Sequence, residues 1–179
     1  MPKLLQIAQL GHPILRKQAT KVEDFSDTAL QNLIDDMLAT LKDAGGVGIA
    51  APQVYESRQL FIVASFPTPR YPNAPKMRPI AMFNPKIIGQ SDAKNTDWEG
   101  CLSVPGICAL VPRHNTIKIE FTARDGKKCV KNFQGFIARI FQHEYDHLKG
   151  LTFLDCVETT KDIVTEKEYR RIISQKQRT

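Results

Sequence analysis

The sequence has 179 residues, of which 42% are hydrophobic and 25% are charged, and its formal net charge is +6. This length predicts a single domain over residues 1–179, and the composition excludes a wholly disordered chain. No apolar run approaches the roughly 20 residues that span a bilayer, and the N-terminus lacks the apolar segment of a signal peptide. We therefore expect a cytoplasmic protein without membrane association, whose cysteines are free thiols.

The first predicted element is an amphipathic helix over about Asp27–Lys42. Ser26 or Asp24 is the expected cap, and the Gly45-Gly46 pair would end the helix. Apolar residues recur at three- and four-residue spacing and would form one buried stripe: Leu30, Leu33, Ile34, Met37, Leu38 and Leu41.

Short strands are predicted in the middle of the chain. Gln59–Ala64 and Ile80–Asn84 are apolar runs, and Thr116–Thr122 alternates between polar and apolar residues before an Asp125-Gly126 turn. The segment Phe66–Pro79 contains five prolines. It is predicted to be a surface loop, because proline interrupts both helices and central strands.

Two further helices are predicted. The second spans about Phe133–Lys149 and is apolar on much of its surface, which indicates a central, buried helix. A more polar third helix spans about Lys161–Gln175. Its buried side would consist of four residues: Ile163, Val164, Ile172 and Ile173. The expected fold class is α+β, with antiparallel sheets packed around the central helix and with an N-terminal and a C-terminal helix.

The central helix contains the run His143-Glu144-Tyr145-Asp146-His147. A spacing of four places both imidazoles on one helical face, one turn apart, where they can reach one metal ion. Glu144 stands beside the pair and can act as a general base on water. Two ordinary helix histidines are the alternative, but buried His and Glu side chains are costly unless they are paired or coordinated.

A catalytic metal site usually has three protein ligands and leaves one position for water. Downstream of the histidine pair, the candidates for the third ligand are Glu158, Glu166 and Glu168, all in polar sequence. Upstream, Cys101 stands in the run Glu99-Gly100-Cys101-Leu102-Ser103. A thiolate is a strong ligand for zinc or ferrous iron, although a cysteine taken alone is more often a small buried side chain.

A third run, Gly46-Val47-Gly48-Ile49-Ala50-Ala51-Pro52-Gln53, leads from the first helix into a strand. Glycines at alternate positions let the backbone approach a ligand closely. The run lacks the Gly-Lys-Ser/Thr of a phosphate-binding loop. A tight connection with a glycine hinge is the alternative interpretation.

Together the three runs resemble the signature motifs of the peptide deformylase family, GxGxAAxQ, EGCLS and QHExDH, in that order along the chain. Every fixed position is filled, and the resemblance extends over roughly residues 8 to 156. It implies a metal-dependent hydrolase that removes the N-formyl group from the initiator methionine of newly made proteins. The expected partners are N-formyl-methionyl nascent peptides.

The resemblance also implies roles for individual residues. Cys101, His143 and His147 would hold one divalent metal per chain. Glu144 would take a proton from the attacking water and return one to the leaving amine. Gln53, through its side-chain amide, and Leu102, through its backbone N–H, would stabilise the oxyanion. The family commonly uses Fe²⁺, which is the expected metal in the cell, with Zn²⁺, Ni²⁺ or Co²⁺ as substitutes.

Other residues are predicted to line the substrate site. The resemblance places Val47 and Gly48 along the peptide groove. Phe136 and Ile140 stand seven and three residues before the first ligand histidine, on its face, and could form an apolar pocket for a methionine side chain or simply pack in the core. Arg139 either pairs with an acid or shapes the pocket rim.

Two functions of other classes remain open at this stage. A zincin-type protease would take its third ligand downstream of His147 and would not need Cys101. A ribosome-binding module is suggested by basic residues near the C-terminus: Lys161, Lys167, Arg170, Arg171, Lys176 and Arg178. No RNA-recognition motif accompanies them, so specific nucleic-acid binding is not expected, and a solvated helix face is the simpler interpretation.

Overall fold

The computed structural model describes residues 2–68 and 71–176. Within these ranges the chain forms three α-helices: α1 (Thr28–Asp43), α2 (Gly135–Leu148) and α3 (Glu166–Lys176). The eight strands found there are β1 (Gly48–Ala50), β2 (Leu60–Ser65), β3 (Met77–Gln90), β4 (Lys94–Cys101), β5 (Val104–His114), β6 (Thr116–Ala123), β7 (Lys128–Gln134) and β8 (Ile163–Thr165). No helix of the described part is long and apolar enough to cross a bilayer.

The strands form two antiparallel sheets. The larger sheet has the order β1-β2-β3-β6-β7, and the smaller has the order β4-β5-β8. Helix α2 packs against β1 and β2 of the larger sheet and against β5 of the smaller one. It therefore lies between the two sheets, and the predicted α+β class with a central helix is confirmed.

Strand β2 shows why the sequence folds in layers. All six of its residues are buried, because both of its faces are covered. Phe61 and Val63 point into the core shared with α2, whereas Leu60 and Ile62 belong to the core that contains α1. Alternation along one strand thus separates two hydrophobic cores, with the central helix on one side and the N-terminal helix on the other.

The predicted first helix is confirmed, but its cap was wrong. The cap is Asp27, whose carboxylate accepts the Ala29 N–H at 3.0 Å. Asp24 instead accepts hydrogen bonds from the N–H and hydroxyl of Ser26, in the turn before the helix. Three residues that can accept a capping hydrogen bond lie close together in the sequence, and the sequence does not show which of them caps the helix.

The predicted start of the second helix at Phe133 was also wrong. Phe133 lies in β7, where it pairs with Ile117 of β6, and α2 begins at Gly135. Gly135 has φ +56°, a conformation that favours glycine and lets the chain turn directly from strand to helix. Buried aromatic residues occur in both strands and helices, so the apolar pattern does not mark the boundary between β7 and α2.

Two further boundaries differ from the prediction. Ile163 and Val164 are not in a helix but in β8, which pairs with Ala109 and Cys108 of β5, and the third helix begins only at Glu166. The proline-rich segment is shorter than predicted, because β3 starts at Met77. Pro69 and Arg70 of that segment, and Arg178 of the basic C-terminal group, lie outside the described residues.

Candidate metal centre and substrate cleft

Helix α2 and the end of β4 bring three candidate ligands together. His143 and His147 lie one turn apart, with ring centroids 5.2 Å from each other. The Cys101 Sγ lies 3.3 Å from His147 Nε2. One ligand atom from each of the three residues lies within 4.8 Å of the other two.

This donor set suits a metal ion. Bonds of about 2.0–2.3 Å from one ion to two imidazole nitrogens and a thiolate require donor atoms a few ångströms apart, as found here. Burial raises the pKa of the Cys101 thiol, but the neighbouring His147 and His143 outweigh it and hold the pKa well below its usual value. The thiol is thus poised to ionise, as a ligand must.

A buried carboxylate, Glu99, orients the first histidine. It is only 4% exposed and accepts a hydrogen bond from His143 Nδ1 at 2.9 Å, which leaves Nε2 available to a metal ion. It also binds Arg113 through two hydrogen bonds of 2.9 and 3.0 Å and Arg139 through one of 2.8 Å. Burial raises the pKa of Glu99, but these partners more than offset it, so the carboxylate stays ionised.

Arg113 extends this network along α2 to the residue before His147. Its Nη1 donates to Asp146 Oδ2 at 2.5 Å. Arg139 also donates to the backbone carbonyls of Val111 and Asn95 at 2.8 and 2.6 Å. Two carboxylates and two guanidinium groups thus balance one another, which is the condition for burying charge at acceptable cost.

Glu144 lies beside the ligands without a comparable partner. It is 3% exposed, and its Oε2 has no hydrogen-bond partner within residues 2–68 and 71–176. Burial raises the pKa of this carboxyl to about 7. A Cβ placed on Gly48 would overlap the Glu144 carboxylate, so the glycine allows the strand β1 backbone to approach it. A carboxyl with a pKa near 7 is suited to proton transfer.

Gln53 is fixed in position by its neighbours. It lies on a 3₁₀ turn, Ala51–Val54, and is 1% exposed. Its Oε1 accepts the Ala50 N–H at 2.8 Å, which aims the Nε2 group at Ser103 Oγ, 3.1 Å away, and at Cys101 Sγ, 3.4 Å away. The amide donors therefore face the candidate metal centre.

A cavity of about 730 Å³ opens beside these groups. The structure places all of the predicted substrate-binding residues on its wall, together with Leu102: Val47, Gly48, Phe136 and Ile140. The carbonyl of Val47 accepts the Ala64 N–H at 2.8 Å, so part of that backbone is already committed to the sheet. Three segments that the sequence had not assigned to the site also line the cavity: Ala44–Gly46, Tyr71–Pro72 and the α3 face.

The downstream alternatives for the third ligand do not join the group. Glu158 and Glu168 are exposed, and Glu166 lies on α3. Among the described residues, Cys101 completes the group with the two histidines, and none of these acids belongs to it. The geometry therefore favours the upstream cysteine.

Glu99 is the functional residue to which the sequence assigned no role. A signal for Glu99 was present. In a strand, positions two apart tend to share a face, and Glu99 and Cys101 are both buried in β4 despite a register shift between Gly100 and Cys101. A charged residue on the face of a candidate ligand suggests a supporting contact. Arg113 comes from β5, and its pairing across β4 to α2 depends on tertiary contacts.

A thiolate and two imidazoles around one point, with a buried carboxyl beside them, form the arrangement of a metal-dependent hydrolase site. Similarity to known proteins narrows this class to one family. A family model described as polypeptide deformylase matches residues 4–162. The chain belongs to this family, and the family assignment made from the three motifs is confirmed.

Relatives agree over most of the chain. It is 54% identical to peptide deformylase 2 of Nostoc sp. over 173 residues, which are 97% of each protein. It is similar to the Met-Ala-Ser-bound crystal structure of class I type b peptide deformylase from Acinetobacter baumannii, with 43% identity, a TM-score of 0.86, and coverage of 88% of this chain and 100% of that one. The Thermotoga maritima peptide deformylase gives a TM-score of 0.77 at 34% identity.

The network around Glu99 yields a prediction. Glu99→Gln keeps the side-chain shape but removes the charge that the two buried guanidinium groups of Arg113 and Arg139 share. We expect a loss of about 3–5 kcal/mol in the free energy of unfolding, and roughly 10–100-fold weaker metal binding because His143 loses its support. Denaturant unfolding and competition with a metal chelator would measure the two effects. Exposed Glu158→Gln is the control, and equal values for both variants would contradict the prediction.

Proposed function

We propose that this chain removes the N-formyl group from methionine at the start of newly made proteins, in the cytoplasm, with Fe²⁺ as the metal in the cell. Zn²⁺, Ni²⁺ or Co²⁺ would act as substitutes. The observation that carries the proposal is the buried Glu144 carboxyl, which lies on the cavity wall next to the group formed by Cys101, His143 and His147. Membership of the deformylase family gives the substrate class.

Cys101, His143 and His147 would hold the metal ion. When bound, the ion supplies a Lewis acid and lowers the pKa of a water molecule. A soft thiolate with two imidazoles suits ferrous iron as well as zinc. Three protein ligands would leave a further position for water or substrate, as catalytic metal sites usually do.

Glu144 moves the proton. Its pKa of about 7 lets the carboxylate accept a proton from the attacking water near neutral pH and donate it to the departing amine. Water adds to the formyl carbon, the C–N bond breaks, and formate and the free amine of methionine leave. Burial keeps this carboxyl out of bulk water, so it exchanges the proton with the substrate.

Gln53 and the Leu102 N–H would bind the oxygen that becomes negative. The Gln53 amide is already aimed by the Ala50 N–H, so it need not reorganise much as charge develops. Its donors now face Ser103 Oγ and Cys101 Sγ, and one of them would turn to the oxyanion. Such a donor typically contributes about 2.7–4 kcal/mol to transition-state stabilisation.

The cavity wall fits a methionyl peptide. Phe136 and Ile140 provide apolar surface for the methionine side chain, and the Val47–Gly48 backbone runs alongside. The formyl carbon carries a hydrogen atom where a larger acyl group carries a carbon chain. The close approach of Gly48 to Glu144 leaves little room for such a chain. The Acinetobacter baumannii relative binds Met-Ala-Ser, the peptide that deformylation of formyl-Met-Ala-Ser would leave.

The central test is formate release from formyl-Met-Ala-Ser by protein purified without oxygen. Wild type should release formate, and Glu144→Gln should lose at least 100-fold in kcat while it keeps its metal, because only the proton acceptor changes. Metal analysis of both proteins provides the control. A folded, metal-loaded wild type that releases no formate would sink the proposal.

Ribosome docking by the C-terminal helix is a further part of the proposal. Lys167 and Arg171 are exposed on α3, and the chain carries a net charge of +6. Anionic phosphates would attract such a surface. We expect the double reversal Lys167→Glu and Arg171→Glu to reduce co-sedimentation with ribosomes at low salt and to leave formate release unchanged. Co-sedimentation that the double reversal leaves unaltered would contradict ribosome docking by α3.

A further inference from the structure

Helix α3 forms one wall of the substrate cavity. The lining residues Glu166, Tyr169, Arg170, Ile173 and Ser174 are spaced by three and four positions and so share one helical face. The matched family model ends at residue 162, before β8 and α3 begin. This wall therefore belongs to the part of the chain outside that match.

The wall is firmly attached to the site. Strand β8 pairs with β5 over Ile163–Thr165 and fixes the point where α3 starts. Tyr169 is only 7% exposed, and its ring makes an edge contact with Trp98, with centroids 5.5 Å apart. Trp98 directly precedes Glu99, which orients His143. Strand β4 thus supplies both the Trp98 contact to α3 and the Cys101 side chain of the candidate metal centre. A bound peptide would therefore meet a helix that is held in place relative to that centre.

Arg170 is the basic group that this wall offers to a substrate. Its side chain is 76% exposed, and its Nη2 donates to Glu166 Oε1 at 3.1 Å. An exposed ion pair one helical turn apart is weak, so the guanidinium can exchange this partner for another carboxylate. Its five N–H donors also allow it to bind both at once. Arg171 points off this face and does not line the cavity.

We infer that Arg170 selects peptides with an acidic side chain at the second or third residue, downstream of formylmethionine. This inference rests on the proposed function. The methionine side chain would occupy the apolar wall of Phe136 and Ile140 on α2, and the chain that follows it would run along α3. An acidic side chain there meets a guanidinium, whereas a basic one meets a like charge.

The test compares kcat/KM for C-terminally amidated formyl-Met-Glu-Ser and formyl-Met-Ala-Glu with their Lys counterparts. Wild type should favour the acidic member by about fivefold at one of the two positions, which is the size of an exposed charge pair. In Arg170→Gln this ratio should fall to about one, because the KM values of the acidic and the Lys peptides should become similar while kcat stays unchanged. Arg171→Gln removes the same charge from α3 and should keep the wild-type ratio.

The outcomes separate this inference from the proposed function. Formate release without any acidic preference, or a preference that Arg170→Gln retains, overturns the inference and leaves the deformylase activity standing. Loss of the preference in both Arg170→Gln and Arg171→Gln would mean a long-range effect of net charge, and it would also overturn the role of Arg170. Absence of formate release from every peptide would contradict the proposed function itself.

Discussion

The buried carboxylate of Glu99 is the interaction on which the rest of the site depends. It accepts hydrogen bonds from Arg113 of β5 and from Arg139 and His143 of α2, so one side chain of β4 ties both strands to the central helix. The charges balance only as a set, because each member buried alone would carry a large desolvation cost. The site can therefore form only when the smaller sheet has packed against the helix.

Closure of the sheets also determines the chemistry. Cys101 reaches His147 because β4 ends beside α2, and Glu144 keeps a raised pKa because β1 approaches it at Gly48, where a side chain would collide. Interactions between charges are stronger in such a water-poor site than at the surface. The same packing that stabilises the fold thus prepares a thiol that ionises readily beside a carboxyl that gains a proton readily.

Local patterns in the sequence predicted much of this structure. The stripe of α1 and the His143–His147 spacing depend on helical periodicity alone, and the structure confirms both elements. Strand β4 was missed because its first four residues are exposed and polar, and β8 was assigned to a helix because three residues show no clear period. The Arg113 contacts and the α3 wall join residues far apart in the chain, and no local pattern encodes them.

The central claim is that Cys101, and no acid downstream of His147, completes the metal site. The most direct measurement is the metal content of purified Cys101→Ala beside Cys108→Ala, which removes another buried thiol, opposite Gly100 on the paired strand. We predict about one metal ion per chain in the wild type and in Cys108→Ala, and loss of the metal and of formate release in Cys101→Ala. Full metal content in an active Cys101→Ala protein would contradict the account and favour a protease-type ligand set.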